Sequence, residues 1–471
     1  MNAPNALRIF LFLLCACGGA WAQTAPAVGD TLIKNATVLT ASHGTLTNTD
    51  ILLSKGKIAK IGKNLQASGD TRVIDATGKF VMPGIIDAHS HTMIDGGVNE
   101  CTKIVTAMAR IEDVLNPTDV NLYRELAGGV TALNILHGSC NAIGGQNAVV
   151  KVKYGHPLAD FFFGATPGIK FALGENPKRT NFPPLPGQPR RYPATRMGVE
   201  VAIREAFTKA RDYKATWDEY NAAKKRGEKI MPLQRDLTLE PLVEVLEGKR
   251  YVHAHCYRAD EILMLLNLAD EFGFKIRTLQ HALEGYKVAP EIAAHGAGAS
   301  IFIDSWAYKN EAYDAIPYAA TILTRAGVVT SINSDSDERA RRLNIDAAKA
   351  MKYGDLTEEE ALRMVTLNPA RQFGIDNRTG SIDEGKDADL AIWNAHPFSV
   401  YARVETTFVD GEPLFDRQKE MTRRDAVAKE RSELEKLDAN KPGNAPPPVP
   451  APRKPAGYGK DEAEGNTGGG N

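Results

Sequence analysis

Val81-Met82-Pro83-Gly84-Ile85-Ile86-Asp87-Ala88-His89-Ser90-His91 is the stretch that decides how this chain reads. A short apolar run with turn residues in its first half predicts a buried strand from Phe80 onward. Side chains two apart on a strand share a face. His89 and His91 therefore leave one face together, at the C-terminal end of the strand. Alone, a His-x-His pair is more often a surface or core pair than a ligand pair. Joined by other donors, two neutral imidazoles make a good half of a metal site.

Other donors recur in the same position. Tyr251-Val252-His253-Ala254-His255, Thr278-Leu279-Gln280-His281 and Val328-Val329-Thr330-Ser331-Ile332-Asn333-Ser334-Asp335 each end a short segment that follows a helix-like stretch. Strand-end histidines and a strand-end carboxylate in one alternating strand–helix pattern predict one concave site. In a parallel (β/α)8 barrel the C-terminal strand ends converge on a common mouth. The expected fold is α/β, a TIM-like barrel over about residues 81–375.

Around that barrel the chain changes character. Residues about 23–80 are strand-rich, and Ala388–Trp393 and Val404–Gly411 read the same way. Neither segment makes a full sheet alone, so a small composite β-sandwich from 23–80 and 376–416 is expected. Asn181 to Asp236 opens with Pro183, Pro184, Pro186 and Pro189 and becomes a long charged amphipathic helix. It reads as an insertion after the fourth strand, on the mouth side. A charged helix is expected over 417–438, then a Pro- and Gly-rich tail to 471 that cannot bury enough to fold.

The motifs resemble those of the amidohydrolase superfamily, on its imidazolonepropionase-like and prolidase-like branch. Val81 to His91 is similar to the family's first-strand signature. Thr366-Leu367-Asn368-Pro369-Ala370-Arg371-Gln372-Phe373-Gly374-Ile375 is similar to the segment that closes its barrel. Gly380 to Ala391 is similar to its return into the second domain. The resemblance runs in order from about residue 31 to about 415. It implies a metal-dependent hydrolase that cleaves a C–N bond in an amide, peptide-like or cyclic amide substrate. Deamination by the same superfamily is the alternative, and a non-catalytic metal-binding recognition protein the third.

A cation at such a site lowers the pKa of water to about 7 and polarises the scissile carbonyl. The resemblance implies that His89, His91 and Asp335 hold a first divalent metal, zinc before others. Asp335 is then the proton shuttle. His281 and one histidine of the fifth strand hold a second, giving one or two ions per chain. His253 and His255 share a face, and the family pattern makes His253 the ligand and His255 a substrate-side group. A solvated rim position for His255 is an equal reading. A bridge between two metals falls to Lys170, carboxylated on its amine, or to Glu175 at the end of the same segment. His137, in the Gly-rich stretch after Val130–Ile135, is the other substrate-side candidate. A plain turn is the competing reading there.

Composition narrows the partners. The chain has 471 residues, 43% hydrophobic and 24% charged, with a formal net charge of −1. That balance gives no electrostatic basis for nucleic-acid binding. A small-molecule or short peptide-like substrate is expected, with a homo-oligomer left open. Arg8, an apolar stretch from Ile9 to Cys17 and Ala20-Trp21-Ala22 read as an export signal cut after Ala22, too short to span a membrane. The protein is then periplasmic or secreted. A lipid-modified Cys17 is the rival. Outside that segment Cys101, Cys140 and Cys256 remain, an odd number that does not predict a disulfide framework. Cys256 reads as barrel packing.

Overall fold

The computed structural model describes residues 29–178 and 191–439. The export signal, the proline-rich start of the expected insertion and the tail lie outside them. Five strands come first: β1 (Thr31–Leu39), β2 (Thr45–Ser54), β3 (Lys57–Gly62), β4 (Arg72–Asp75) and β5 (Phe80–Pro83). The next eight are β6 (Ile85–Ser90), β7 (Val130–Ile135), β8 (Ile143–Lys151), β9 (Gly168–Ala172), β10 (Tyr251–Cys256), β11 (Ile276–His281), β12 (Gly298–Ile301) and β13 (Thr330–Ile332). Last are β14 (Leu390–Trp393), β15 (Val404–Val409) and β16 (Glu412–Asp416).

The stretch expected to be one strand is two, in two different sheets. The break falls at Gly84, where a Cβ would lie 2.0 Å from Thr131 Oγ1. Gly84 N donates to Asp389 O at 2.9 Å, so the chain crosses between domains there. β5 joins the sheet β16-β15-β14-β5-β1-β2-β3, with β4 also on β1. β6 begins the barrel sheet, which runs β6 to β13 in sequence order.

β14 pairs antiparallel with β5, Ile392 opposite Val81 and Trp393 opposite Phe80. Both chain ends thus build one domain. The edge strand β3 closes onto the segment before β14, since Ile58 N donates to Lys386 O at 2.9 Å and Ala388 N to Gly56 O at 2.9 Å. The expected sandwich is one hydrogen-bonded sheet folded around a core of Ile33, Val38, Ile51, Ile58, Val81, Leu390, Ile392 and Phe408.

The barrel departs from the all-parallel expectation at one strand. β8 runs antiparallel to both β7 and β9. The cause is local: β7 and β8 are joined by the seven residues 136–142, too few for a crossover helix.

The expected insertion is also corrected. The helix Arg196–Lys225 lies against the barrel wall, with Val199, Ala202, Ile203, Ala206, Phe207 and Ala210 buried at helical spacing. Phe207 stacks on Phe274 with ring centres 4.3 Å apart and meets Phe171 and Phe272. Its first half is the outer layer of the barrel rather than a mouth loop. A further helix spans Arg417–Ala439 and is largely exposed. No helix among the described residues is long and apolar enough to cross a membrane.

Cys101 and Cys140 form a disulfide, Cα atoms 5.7 Å apart, against the expectation of no framework. Both lie in irregular segments 39 residues apart, and only the barrel brings them together. Cys256 is free and buried, as packing requires.

The domains are locked by charge. Lys151, at the end of β8, has its ammonium 2.7 Å from Asp387, 3.0 Å from Asp389, and against Asp410. The three carboxylates lie close enough together to resemble a cation site. The lysine, 1% exposed, already supplies the cation. Removing one partner from such a buried cluster costs about 3–5 kcal/mol, because the others keep uncompensated charge. Lys151→Met is therefore expected to lower the unfolding free energy by about that amount. Urea denaturation measures it, and a loss under ~1 kcal/mol would contradict the lock.

Candidate metal centre

The polar residues of the mouth come from strand ends spread around the barrel. His89 sits in β6, with His91 just beyond it. Lys170 is in β9, His255 in β10, His281 ends β11, and Asp335 follows β13. None is more than 3% exposed. His281 (φ 68°) and Asp335 (φ 47°) both adopt the left-handed region, where residues with a Cβ are strained. Such strain persists only where surrounding contacts impose it, and it concentrates at functional sites.

The side chains converge on the Asp335 carboxylate. Its Oδ1 is 3.2 Å from His91 Nε2 and 3.6 Å from His89 Nε2. Its Oδ2 is 3.8 Å from His281 Nε2. The His89 and His281 rings lie 4.6 Å apart, and the His255 and His281 rings 4.8 Å. Lys170 Nζ is 3.2 Å from His89 Nε2 and donates to His137 O at 3.1 Å.

The tautomers are set from behind. His91 Nδ1 donates to Leu136 O at 2.8 Å, and His89 Nδ1 lies 3.3 Å from Gln280 Oε1. Engaging Nδ1 leaves Nε2 to face the centre. Burial first, and then the neighbouring Lys170, hold His89 well below the ordinary imidazole range. The imidazole is kept neutral, the form that binds a metal. Ligand atoms of His89, His91 and Asp335 all lie within 4.8 Å of one another. Two imidazoles and one carboxylate could hold a divalent cation, and the donor set suits zinc.

The structure separates the two histidines of β10. His253 pairs in register with Lys170 and Thr278, one level deeper in the barrel, and its ring meets Phe373 at 5.9 Å. Burial pushes its pKa down to about 3, helped by Arg277 and Lys170, and its Nδ1 finds no hydrogen-bond partner. His255 is the one brought against His281. Of the two, it is the expected rim group His255 that stands beside His281, while the expected ligand His253 packs against Phe373. Either spacing satisfies the pattern, and only the level along the strand distinguishes them.

Lys170 and Glu175 are likewise separated. Lys170 touches His89, whereas the Glu175 carboxylate faces Lys309 at 3.5 Å. His137 points away from the centre: its Nε2 accepts from Glu100 N at 2.9 Å and its Nδ1 donates to Gly138 O at 2.8 Å. Its backbone carbonyl, not its ring, reaches the site.

Two residues that sequence reasoning passed over matter here. Gln280 orients His89 and donates to Ala88 O at 3.3 Å. Asp87 accepts from His89 N at 3.2 Å and Ser334 N at 3.1 Å, and takes the Ser334 hydroxyl on its other oxygen. Burial pushes its carboxyl up to about 7 against those donors. Both precede a histidine in the motifs quoted at the outset, which is the signal that could have flagged them.

Comparison with known proteins agrees with the geometry. The amidohydrolase family profile matches residues 218–414. The crystal structure of an amidohydrolase from Thermotoga maritima aligns with TM-score 0.75 and 35% identity, covering 82% of this chain and 100% of that one. Amidohydrolase tasK of Hapsidospora irregularis is 33% identical over 430 residues. That match covers 85% of this chain, while the chain spans only 42% of tasK. An imidazolonepropionase of Thermoplasma volcanium is 23% identical over 404 residues, 79% of this chain and 92% of that protein. The chain belongs to the amidohydrolase family, whose members are metal-dependent hydrolases of carbon–nitrogen bonds.

Proposed function

We propose that the protein is an exported amidohydrolase that cleaves an amide, peptide-like or cyclic amide C–N bond with water. The observation that carries this reading is the convergence of His89, His91 and His281 on one buried carboxylate, Asp335. His89, His91 and Asp335 would hold one zinc ion, and His255 and His281 a second. Lys170, carboxylated on Nζ by carbon dioxide after its ammonium gives up one proton and with loss of a second, would stand between them. Its contact with His89 supports that role over Glu175. It also favours the two-cation hydrolase over a one-cation deaminase.

Zinc bound there acts as a Lewis acid on the carbonyl and makes water acidic enough to attack at neutral pH. The chain's own residues do the rest. The Asp335 carboxylate accepts the proton of the attacking water and delivers it to the departing nitrogen. The buried wall of imidazoles excludes bulk water and keeps its Nε2 atoms aimed inward. His255, close to His281, is a ligand in this reading. Export is supported by the Cys101–Cys140 disulfide, a bond that persists in oxidising compartments. Mass spectrometry of the native protein tests it: a mature chain beginning near Gln23 is expected, and an intact Met1 would refute it.

Asp335→Asn is expected to lower kcat on a cleaved amide by about 10²–10⁴-fold with the fold retained, since general acid–base groups contribute that much. Near wild-type turnover would remove the shuttle role. Metal analysis of purified protein should give close to two equivalents. Lys170→Ala and His255→Ala should each lose one, and Glu175→Ala and His253→Ala none. Metal loss confined to the His253 variant would restore the ligand order read from sequence. Exhaustive chelation should abolish hydrolysis and added zinc restore it.

A further inference from the structure

The segment Leu136–Cys140 touches the centre at three points. Leu136 O accepts from His91 Nδ1 at 2.8 Å. His137 O accepts from Lys170 Nζ at 3.1 Å. Ser139 Oγ lies 3.0 Å from His255 Nδ1. These residues stand on three different strands or strand ends, so five consecutive residues orient donors from both halves of the site. Leu136 O and Ser139 Oγ engage the Nδ1 atoms of His91 and His255, as outer partners of metal ligands do, whereas His137 O meets Lys170 at Nζ itself.

The segment has no regular structure of its own. It is strapped to residues 98–101, which are equally irregular. Gly138 N donates to Val98 O at 3.1 Å, Glu100 N to His137 Nε2 at 2.9 Å, and Cys140 N to Asn99 Oδ1 at 3.1 Å. A Cβ on Gly138 would meet Asn99 Oδ1 at 2.2 Å, so the two stretches lie in close contact. The covalent member of the strap is the Cys101–Cys140 disulfide. Cys140 is buried, while Cys101 is partly exposed and open to a reductant. Arg191 adds bonds to the carbonyls of both cysteines.

We propose that Leu136–Cys140 is the positioning segment of the cation site, with Ser139 the positioning residue for His255, and that the Cys101–Cys140 disulfide locks it. Opening the bond frees the segment and slackens His91, Lys170 and His255 together, so zinc retention depends on the oxidation state of this pair. The inference rests on the reading of those residues as a zinc site. Reduction is balanced with a water-soluble phosphine: the S–S bond breaks, two thiols form, and phosphine plus water become phosphine oxide. A phosphine is preferred to a dithiol, which would itself compete for zinc.

The test uses full-length, zinc-loaded protein and follows zinc release to a chromophoric chelator, with the thermal midpoint recorded alongside. Phosphine treatment is expected to speed release about tenfold, the low end of what losing outer partners of a metal ligand costs in affinity. The Cys101→Ser/Cys140→Ser protein should release zinc at the faster rate with or without phosphine. Ser139→Ala should weaken zinc retention with the disulfide intact, and Ser139→Thr, which keeps the hydroxyl, should restore it. A merely structural role would move the thermal midpoint but show no hydroxyl rescue. Release unchanged by reduction, or wild-type retention in Ser139→Ala, overturns the proposal. Untreated protein that holds no zinc would instead overturn the metal reading, and this inference with it.

Discussion

Asp87 closes the ring. The barrel sheet begins with β6 and ends with β13, and the two are neighbours only if something joins the first strand to the last. The Asp87 carboxylate does so, binding the backbone of His89 on one side and of Ser334 on the other. Asp335 N then donates to His89 O at 3.1 Å. Three of the residues that meet at the centre, His89, His91 and Asp335, lie on or just beyond the two strands that this carboxylate holds together. A fully buried acid whose pKa rises to about 7 is a costly device, tolerable because donors surround it. The site exists because the seam does.

Much of the interior follows from that arrangement. A barrel whose mouth is filled with imidazoles, an amine and a carboxylate cannot rely on apolar packing there. It uses hydrogen bonds instead: Gln280 to His89, Leu136 O to His91, His137 O to Lys170. Below them the apolar core resumes, where Ile86, Ala88, Ala132, Ala370 and Phe373 form one cluster. The helix Leu367–Phe373 brings Phe373 under His253, so the segment expected to close the barrel does so beneath the histidines.

The parts legible in sequence are those where chemistry interrupts an apolar run. His89, His91, His281 and Asp335 each break a strand pattern at its C-terminal end, and the fold brings all four together. The choice between His253 and His255 was not legible. Their faces are identical, and only register against Lys170 and Gln280 sets their depth. The disulfide was hidden because an odd number of cysteines obscures a single pair, and neither partner lies in an element with a readable period. The start of β8 is hidden in the Gly-rich stretch around His137, because Gly144 and Gly145 lie near its beginning. Those glycines leave room for the His137 ring, which a Cβ on either would crowd to within 3 Å.

The composite sheet sets the order in which the molecule can be completed. β5 leaves the ribosome long before β14, its antiparallel partner, is made. Until then β1 to β5 present an unsatisfied edge, and β5 has no partner for Val81 and Phe80 on that side. Lys151 waits as well, an ammonium at the barrel wall whose three carboxylates lie in the last third of the described chain. Contacts of such long sequence separation form slowly, and nascent edges are exposed while they wait. Synthesis thus runs through most of the barrel with one domain half-built, and the final strands finish both at once. A chain stopped short of β14 loses three of the eight strands of a folding unit rather than a tail.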